Sequence, residues 1–410
     1  MNKIKVIEAV NQLGLGGTEY ALQLYSKFLD KTHFEVSVIA LLEGGPRVQL
    51  IEDLGISVTV LNGDLNKFGE LIKDTDVLHW HGNGILEQDV YEIIKANKPK
   101  LVIQTNVFGF FENTTYDVID YDLFISKMIL VRRMQLDRKL KNRFEEKRKV
   151  LPYPVDVDLL SKQIPDQPAL LAFKKQRNLD DLFIVGRIGR ADNAKFDLVS
   201  LDAFKIFAEQ ISHSRFLLLG ATPEMISHAE KIGITDKLIV CENTSDLQEL
   251  LYYYKTIDIF LAASAIGESF GMVIAEAMTS GTPVVTISTE DRDNAQIELI
   301  DHNETGIVTS NDQHQIAEAL QYLYEDTAAR TRLSSASRAK ILKAYQAQNI
   351  VGSLEQLIYK HLGRPINSRT PNLLINFSKA LINDYKKRCI NIYGRSAIRK
   401  IILWQLEKLR

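Results

Sequence analysis

Two glutamates, Glu268 and Glu276, bound the stretch Glu268-Ser-Phe-Gly-Met-Val-Ile-Ala-Glu276, with Ala277-Met278 and Gly281-Thr-Pro283 behind it. Carboxylates only accept hydrogen bonds and diols supply donors, so the pair suits two hydroxylated groups of one ligand. If most of the step between them is helical, the carboxylates stand on the order of 12 Å apart, two turns along roughly one face. Phe270, Gly271 and Met272, flanked by Ser269 and Val273, fall at the helix start. Free amides there match an anionic diphosphate, and a glycine lets a ligand approach the chain closely. A nucleotide sugar laid along this face would meet one carboxylate with its sugar and the other with its ribose. The bland alternative is a loop charge at Glu268 and an exposed helical residue at Glu276. The spacing alone would be coincidence; the Phe-Gly, Ala-Met and Gly-Thr-Pro context favours function.

Three further groups of residues carry chemistry. Leu13-Gly14-Leu15-Gly16-Gly17-Thr18-Glu19 is a glycine-rich turn into a helix, which offers amides to phosphate and is also a common tight turn. It lacks the third glycine of the dinucleotide fingerprint. Val185-Gly186-Arg187-Ile188-Gly189-Arg190 and, a few residues on, Lys195 form a cationic loop. Cations preorganised against a departing diphosphate stabilise the transition state more than the ground state. His79 and His81 alternate on a strand and share one side, a possible metal pair for which the sequence offers no third ligand. The triplets Asp156-Val-Asp158 and Asp291-Arg-Asp293 are expected by chance in a chain this rich in aspartate.

These residues resemble the retaining GT-B glycosyltransferases of family GT4, which carry a Glu-x7-Glu motif. The resemblance covers roughly residues 1–362 and includes Asn294-Ala-Gln-Ile-Glu298 and Thr305-Gly306. It implies that Glu268 holds the donor sugar and Glu276 the ribose, and that Gly16 and Gly17 face the diphosphate. It also implies an arginine and a lysine on the leaving group, Arg187 with Lys195, with Arg190 as rival. The family more often has a histidine where Gln104-Thr105-Asn106-Val107-Phe108-Gly109 places Asn106, so His81 and Asn106 compete for the N-terminal side of the site. The implied reaction is front-face sugar transfer with retention, with no metal and no cofactor beyond a UDP- or GDP-type sugar donor. The acceptor would be a glycan or lipid-linked species in cell-surface polysaccharide or glycolipid synthesis. Alternatives are a sugar-nucleotide epimerase or phosphorylase on the same fold, or a non-catalytic glycan-binding subunit.

The elements that must position these groups follow from hydrophobic patterning. Lys5–Ala9, Glu35–Leu41, Val58–Leu61, Val77–Trp80 and Leu101–Gln104 read as strands, with helices at Glu19–Leu29 and Arg47–Leu54. Such alternation means βαβ units and a parallel sheet. After Leu151-Pro152-Tyr153-Pro154 it restarts, with the helix Met272–Thr279 closed by Gly281 and Pro283. The fold class is therefore α/β: two Rossmann-like, doubly wound domains facing each other across a cleft. The expected divisions are an acceptor domain at 1–165, a donor domain at 166–345, a returning helix at 346–362 and a basic tail at 363–410.

That tail holds eleven basic side chains against two acidic ones, a net of +9 in a chain of formal charge −2, which leaves −11 for the rest. Ile390–Arg410 interleaves apolar residues with cations, a pattern for a helix lying on an anionic membrane or for one docked on the protein body. There is no apolar signal core at the N-terminus and no stretch of membrane-spanning length, and the two cysteines, Cys241 and Cys389, are far apart. The expectation is a cytoplasmic protein, peripheral on the membrane if the tail binds it, with no nucleic-acid partner.

Overall fold

The computed structural model describes residues 2–136, 146–244, 246–365 and 370–394. It divides into two compact units, the first made of Met1–Asp156 with Tyr345–Tyr385 and the second of Val157–Ala344 with Lys386 onward.

In unit 1, strands β1 (Ile4–Gln12), β2 (Phe34–Glu43), β3 (Ser57–Val60), β4 (Val77–Gly82), β5 (Leu101–Asn106), β6 (Tyr121–Phe124) and β7 (Arg148–Val150) form a parallel sheet. Its order is β7-β6-β5-β4-β1-β2-β3, with the tail strand Ile375–Asn376 added antiparallel to β7. Chain order reverses between β1 and β4, so the loops leaving those two strands flank the switch point where open α/β sheets bind ligands. The sheet is covered by an apolar layer that includes Ile7, Phe68, Leu78, Trp80 and Val102. Strands covered on both faces lose strict alternation, and β5 is buried along its whole length, apolar in Leu101–Ile103 and polar toward its carboxyl end at Gln104–Asn106.

Unit 2 repeats the plan with β8 (Phe183–Ile188), β9 (Ser214–Leu219), β10 (Leu238–Cys241), β11 (Ile259–Ala262), β13 (Val284–Ile287) and β15 (Ile307–Thr309), in the order β10-β9-β8-β11-β13-β15. All its pairings are parallel. Here the switch lies between β8 and β11. A separate two-stranded ladder joins β12 (Gly267–Glu268) to β14 (Asp293–Asn294) beyond the carboxyl end of that sheet. Phe204, Phe207, Phe216 and Leu320 centre the core; each such buried side chain contributes roughly 1.5–3 kcal/mol.

Two expectations change. The chain leaves unit 1 at Asp156 rather than 165, because Val155 pairs by backbone hydrogen bonds with Tyr345 and Ala347, and Asp156 holds Lys27 at 2.6 Å. The tail is not a separate appendage over its described length. Residues 370–385 complete unit 1 and Lys386–Gly394 joins unit 2. Helix Lys379–Tyr393 buries Leu381, Tyr385 and Cys389, which recur every fourth residue, so the helix that leads into the amphipathic pattern at Ile390 packs on protein. The rest of the segment proposed for a membrane, from residue 395 onward, lies outside the described residues. Among the described residues no helix is long and apolar enough to cross a membrane.

Candidate functional site

The loops after β8 and β11 bring the donor candidates of unit 2 together. Glu268 sits on β12, held by ladder pairing with Asn294 and by its carbonyl, which accepts from Ala295 N at 2.9 Å. Its carboxylate receives Lys195 Nζ at 3.1 Å, and the same ammonium donates to Gly267 O at 3.3 Å. Gly267 has φ +78°, and a Cβ there would lie 1.8 Å from Asp293 O, so only glycine fits where the strand turns into the ladder.

Glu268 and Glu276 are not two turns apart on one helix face. Gly271 adopts φ +99° and starts helix Met272–Thr279, so the chain from Glu268 to Gly271 is strand and turn, and only the steps after Met272 are helical. A left-handed residue cannot continue a helix backwards, which is why the spacing estimate does not apply. Pairing onto Gly271 O begins with the amides of Ile274 and Ala275, leaving those of Met272 and Val273 directed out of the helix start. Ser269 Oγ donates to Asp293 Oδ2 at 3.3 Å, and Phe270 is buried as an anchor under the turn. Glu276 accepts from Tyr254 Oη at 2.8 Å, which fixes the second carboxylate.

Of the three cations, Lys195 is the one whose side chain pairs with Glu268. Arg187 is buried, and its guanidinium donates to the carbonyls of Leu219, Gly220, Arg190 and Lys195 while lying over Phe196. Burial lowers its pKa to about 10, partly offset by Glu268 and Asp192, so it stays charged. In this geometry it shapes the loop that presents Lys195. Arg190 is exposed, with Asp192 3.8 Å away.

In unit 1, Gly16 caps helix Gly17–Phe28 in an extended conformation, and Thr18 Oγ1 accepts from Tyr153 Oη at 3.2 Å. This turn lies at the carboxyl end of β1, as its sequence implied. The two N-terminal-side candidates are both buried and engaged. Asn106 Oδ1 accepts from Gly109 N at 2.7 Å and its Nδ2 donates to Phe110 O and Asp122, so it helps to build the turn after β5. Burial raises Asp122 to about 6 despite its hydrogen bonds from Gln104, Tyr116 and Asn106. The turn exposes Phe108 and Phe110, whose rings lie 6.1 Å apart.

His81 Nε2 lies 2.6 Å from Glu8 Oε2, and His79 Nδ1 lies 2.9 Å from the same oxygen. Glu8 is thus the third potential metal-ligand type that the sequence did not reveal; it comes from the neighbouring strand β1, and the three groups lie within 4.8 Å of one another. His81 Nε2 is hydrogen-bonded to Glu8 Oε2 and His79 Nε2 to Thr105 Oγ1, whereas Glu8 Oε1 and the Nδ1 atoms of both histidines are buried without a hydrogen-bond partner. Burial alone would raise Glu8, but His79 and His81 outweigh it and hold the carboxyl at about 2; burial lowers His81 to about 4. Of the Asp-x-Asp triplets, Asp156 pairs with Lys27, and Asp293 accepts from Ser269 and pairs in the ladder.

Residues 171–340 match the family model described as glycosyl transferases group 1. Among curated proteins, the chain is 25% identical over 189 residues to the capsular polysaccharide biosynthesis glycosyltransferase CapM of Staphylococcus aureus, covering 45% of this chain and 48% of that one. It is 22% identical over 325 residues to the N-acetyl-alpha-D-glucosaminyl L-malate synthase of Bacillus anthracis, covering 77% and 68% respectively. The chain thus spans about half the length of the capsular relative. Among solved structures, HepE of Anabaena, crystallised with UDP and glucose, superimposes with a TM-score of 0.72 at 18% identity over 87% of this chain and 100% of that one. This likeness establishes the GT-B fold. Residues 171–340, about two fifths of the chain, are thus similar to the group 1 glycosyl transferases.

Proposed function

We propose that the chain is a retaining glycosyltransferase that moves a sugar from a UDP- or GDP-type donor to a glycan or lipid-linked acceptor, without a metal, on the cytoplasmic side of cell-surface polysaccharide or glycolipid synthesis. The observation that carries this reading is the Lys195–Glu268 pair beside the start of helix Met272–Thr279, at the switch point of unit 2. The named activity of the capsular relative agrees with it.

Each group has a role that its surroundings suit. Glu268 accepts from donor-sugar hydroxyls, and Glu276, oriented by Tyr254, accepts from the ribose. The amides of Met272 and Val273 receive the diphosphate. Lys195 supplies positive charge as the glycosidic bond to that diphosphate breaks, which is when charge compensation lowers the barrier most. The departing phosphate oxygen takes the acceptor's proton, so no protein base is assigned. Unit 1 selects the acceptor, with the aromatic pair Phe108 and Phe110 on a loop leaving its sheet.

The test is incubation with a panel of UDP- and GDP-sugars while donor hydrolysis is followed by NMR. A free sugar released first with the donor's own anomeric configuration is expected. Release with inversion refutes the retaining reading, a new sugar epimer on intact nucleotide marks an epimerase, and binding without turnover marks a non-catalytic subunit.

A further inference from the structure

The helix Lys379–Tyr393 lies beyond the residues that carry the family resemblance, yet its last turns reach the donor ladder of unit 2. Tyr393 Oη accepts from Asn294 Nδ2 at 3.0 Å and lies 2.6 Å from Ser288 Oγ. One phenol hydroxyl can do both, accepting from the amide and donating to the serine. Asn294 is fully buried and is the ladder partner of Glu268; Ser288 follows β13 directly. Arg388, just over one turn earlier, donates to Ile297 O at 2.6 Å and Asp301 Oδ1 at 2.7 Å, while Cys389 is buried. The helix is therefore pinned along the whole segment that runs from β13 through β14 to Asp301.

We infer that Tyr393 is a positioning residue for the donor site: it fixes Asn294, and through the β12–β14 ladder it fixes the direction in which Glu268 presents its carboxylate. This rests on the reading that Glu268 binds the donor sugar. The physical ground is the weakness of the ladder itself. Two residues on each side form a strand pair too short to be stable alone. Gly267, its first residue, has left-handed backbone freedom, so the ladder needs side-chain anchors to hold one geometry. The hydroxyl of Tyr393 and the Ser269–Asp293 contact are such anchors, on Asn294 and on its neighbour. Sequence outside the family's usual extent thus tunes the family's own site.

The experiment compares the full chain with its Tyr393→Phe variant, which keeps the ring and removes the oxygen. Binding is measured by calorimetry for UDP against UDP-glucose and for GDP against GDP-mannose, with a thermal melt alongside. The contribution of the sugar to affinity, the ratio within each pair, is expected to fall about 2- to 13-fold, the loss of one hydrogen bond's ordering, while the bare diphosphate binds as before. Ser288→Ala, which leaves the phenol in place, should move the same ratio in the same direction by less. A merely structural role would lower the melting temperature and weaken nucleotide and nucleotide sugar alike; that result, or an unchanged ratio, overturns the inference. Glu268→Gln is the control. If it lowers the ratio and Tyr393→Phe does not, the positioning role falls alone; if Glu268→Gln leaves the ratio untouched, the donor-site reading falls and takes this inference with it.

Discussion

Replacing Glu268 with alanine removes a carboxylate whose surroundings allow the effect on activity to be separated from the effect on folding. A hydrogen bond between a charged group and a substrate hydroxyl is worth about 1.5–3 kcal/mol, so the variant should lose about 10- to 150-fold in kcat/KM for donor hydrolysis. Stability should barely move. The Lys195–Glu268 pair is partly open to solvent, with side-chain exposures of 27% and 18%, and such a pair contributes about 1 kcal/mol or less. In a unit of this size that corresponds to a shift of roughly 2–4 °C in melting temperature. Lys195→Met should lower the same rate constant, and the double variant should fall by less than the product of the two single losses, because both act on one bound donor. The assay is donor hydrolysis with a parallel thermal melt. Activity within about twofold of wild type in Glu268→Ala would refute the reasoning, as would a loss that tracks the folded fraction.

Gly267→Ala should abolish donor turnover and lower unit 2's stability by at least about 1–2 kcal/mol, since the new methyl would sit 1.8 Å from the Asp293 carbonyl at φ +78°; an unchanged melt would contradict the geometry. Acid should weaken unit 1. The folded state holds His81 near 4 and Glu8 near 2, both below their ordinary values of 6.5 and 4.5, so the unfolded chain binds more protons and stability drops as pH falls from about 6.5 toward 2. Fluorescence of buried Trp80 in urea titrations would register this, and a flat midpoint between pH 6.5 and 4 would exclude it. Hydrolysis should survive chelator at full rate; loss restored by magnesium or manganese would end the metal-free reading. A chain cut after Gly394 keeps the docked helix and lacks the final basic residues, so weaker binding to anionic vesicles than the full chain's is expected, and equal partitioning would count against a membrane role.

Local signals explain what could be read from the sequence. Met272–Thr279 was bounded by Gly271, Gly281 and Pro283, and the helix has those limits. The apolar runs of β1, β2, β4 and β5 announced themselves because these strands are largely buried. Short β6 and β7 escaped because Tyr121–Phe124 and Arg148–Val150 carry little periodicity, and Arg148 is buried among aromatic rings rather than exposed as its charge suggested. The missing site residues are all partners from distant chain positions. Tyr254 meets Glu276, Glu8 meets His81 and Tyr393 meets Asn294, and nothing in the spacing of those pairs encodes their meeting. Asn106 and Arg187 were named for the chemistry of their side chains; in the structure Arg187 donates to backbone carbonyls, and Asn106 bonds to the backbone of Gly109 and Phe110 and to the Asp122 carboxylate.

Each compact unit is stitched from two separated lengths of chain, with Tyr345–Tyr385 finishing the first and Lys386 onward finishing the second. Neither half is whole when its main stretch has been made: the first waits for its edge strand at Ile375–Asn376, the second for Arg388 and Tyr393. A fragment trimmed to residues 171–340 would therefore keep the recognisable domain while exposing the surface that Cys389 and its neighbours cover. Grafting this domain onto another enzyme requires carrying the distant helix along with it.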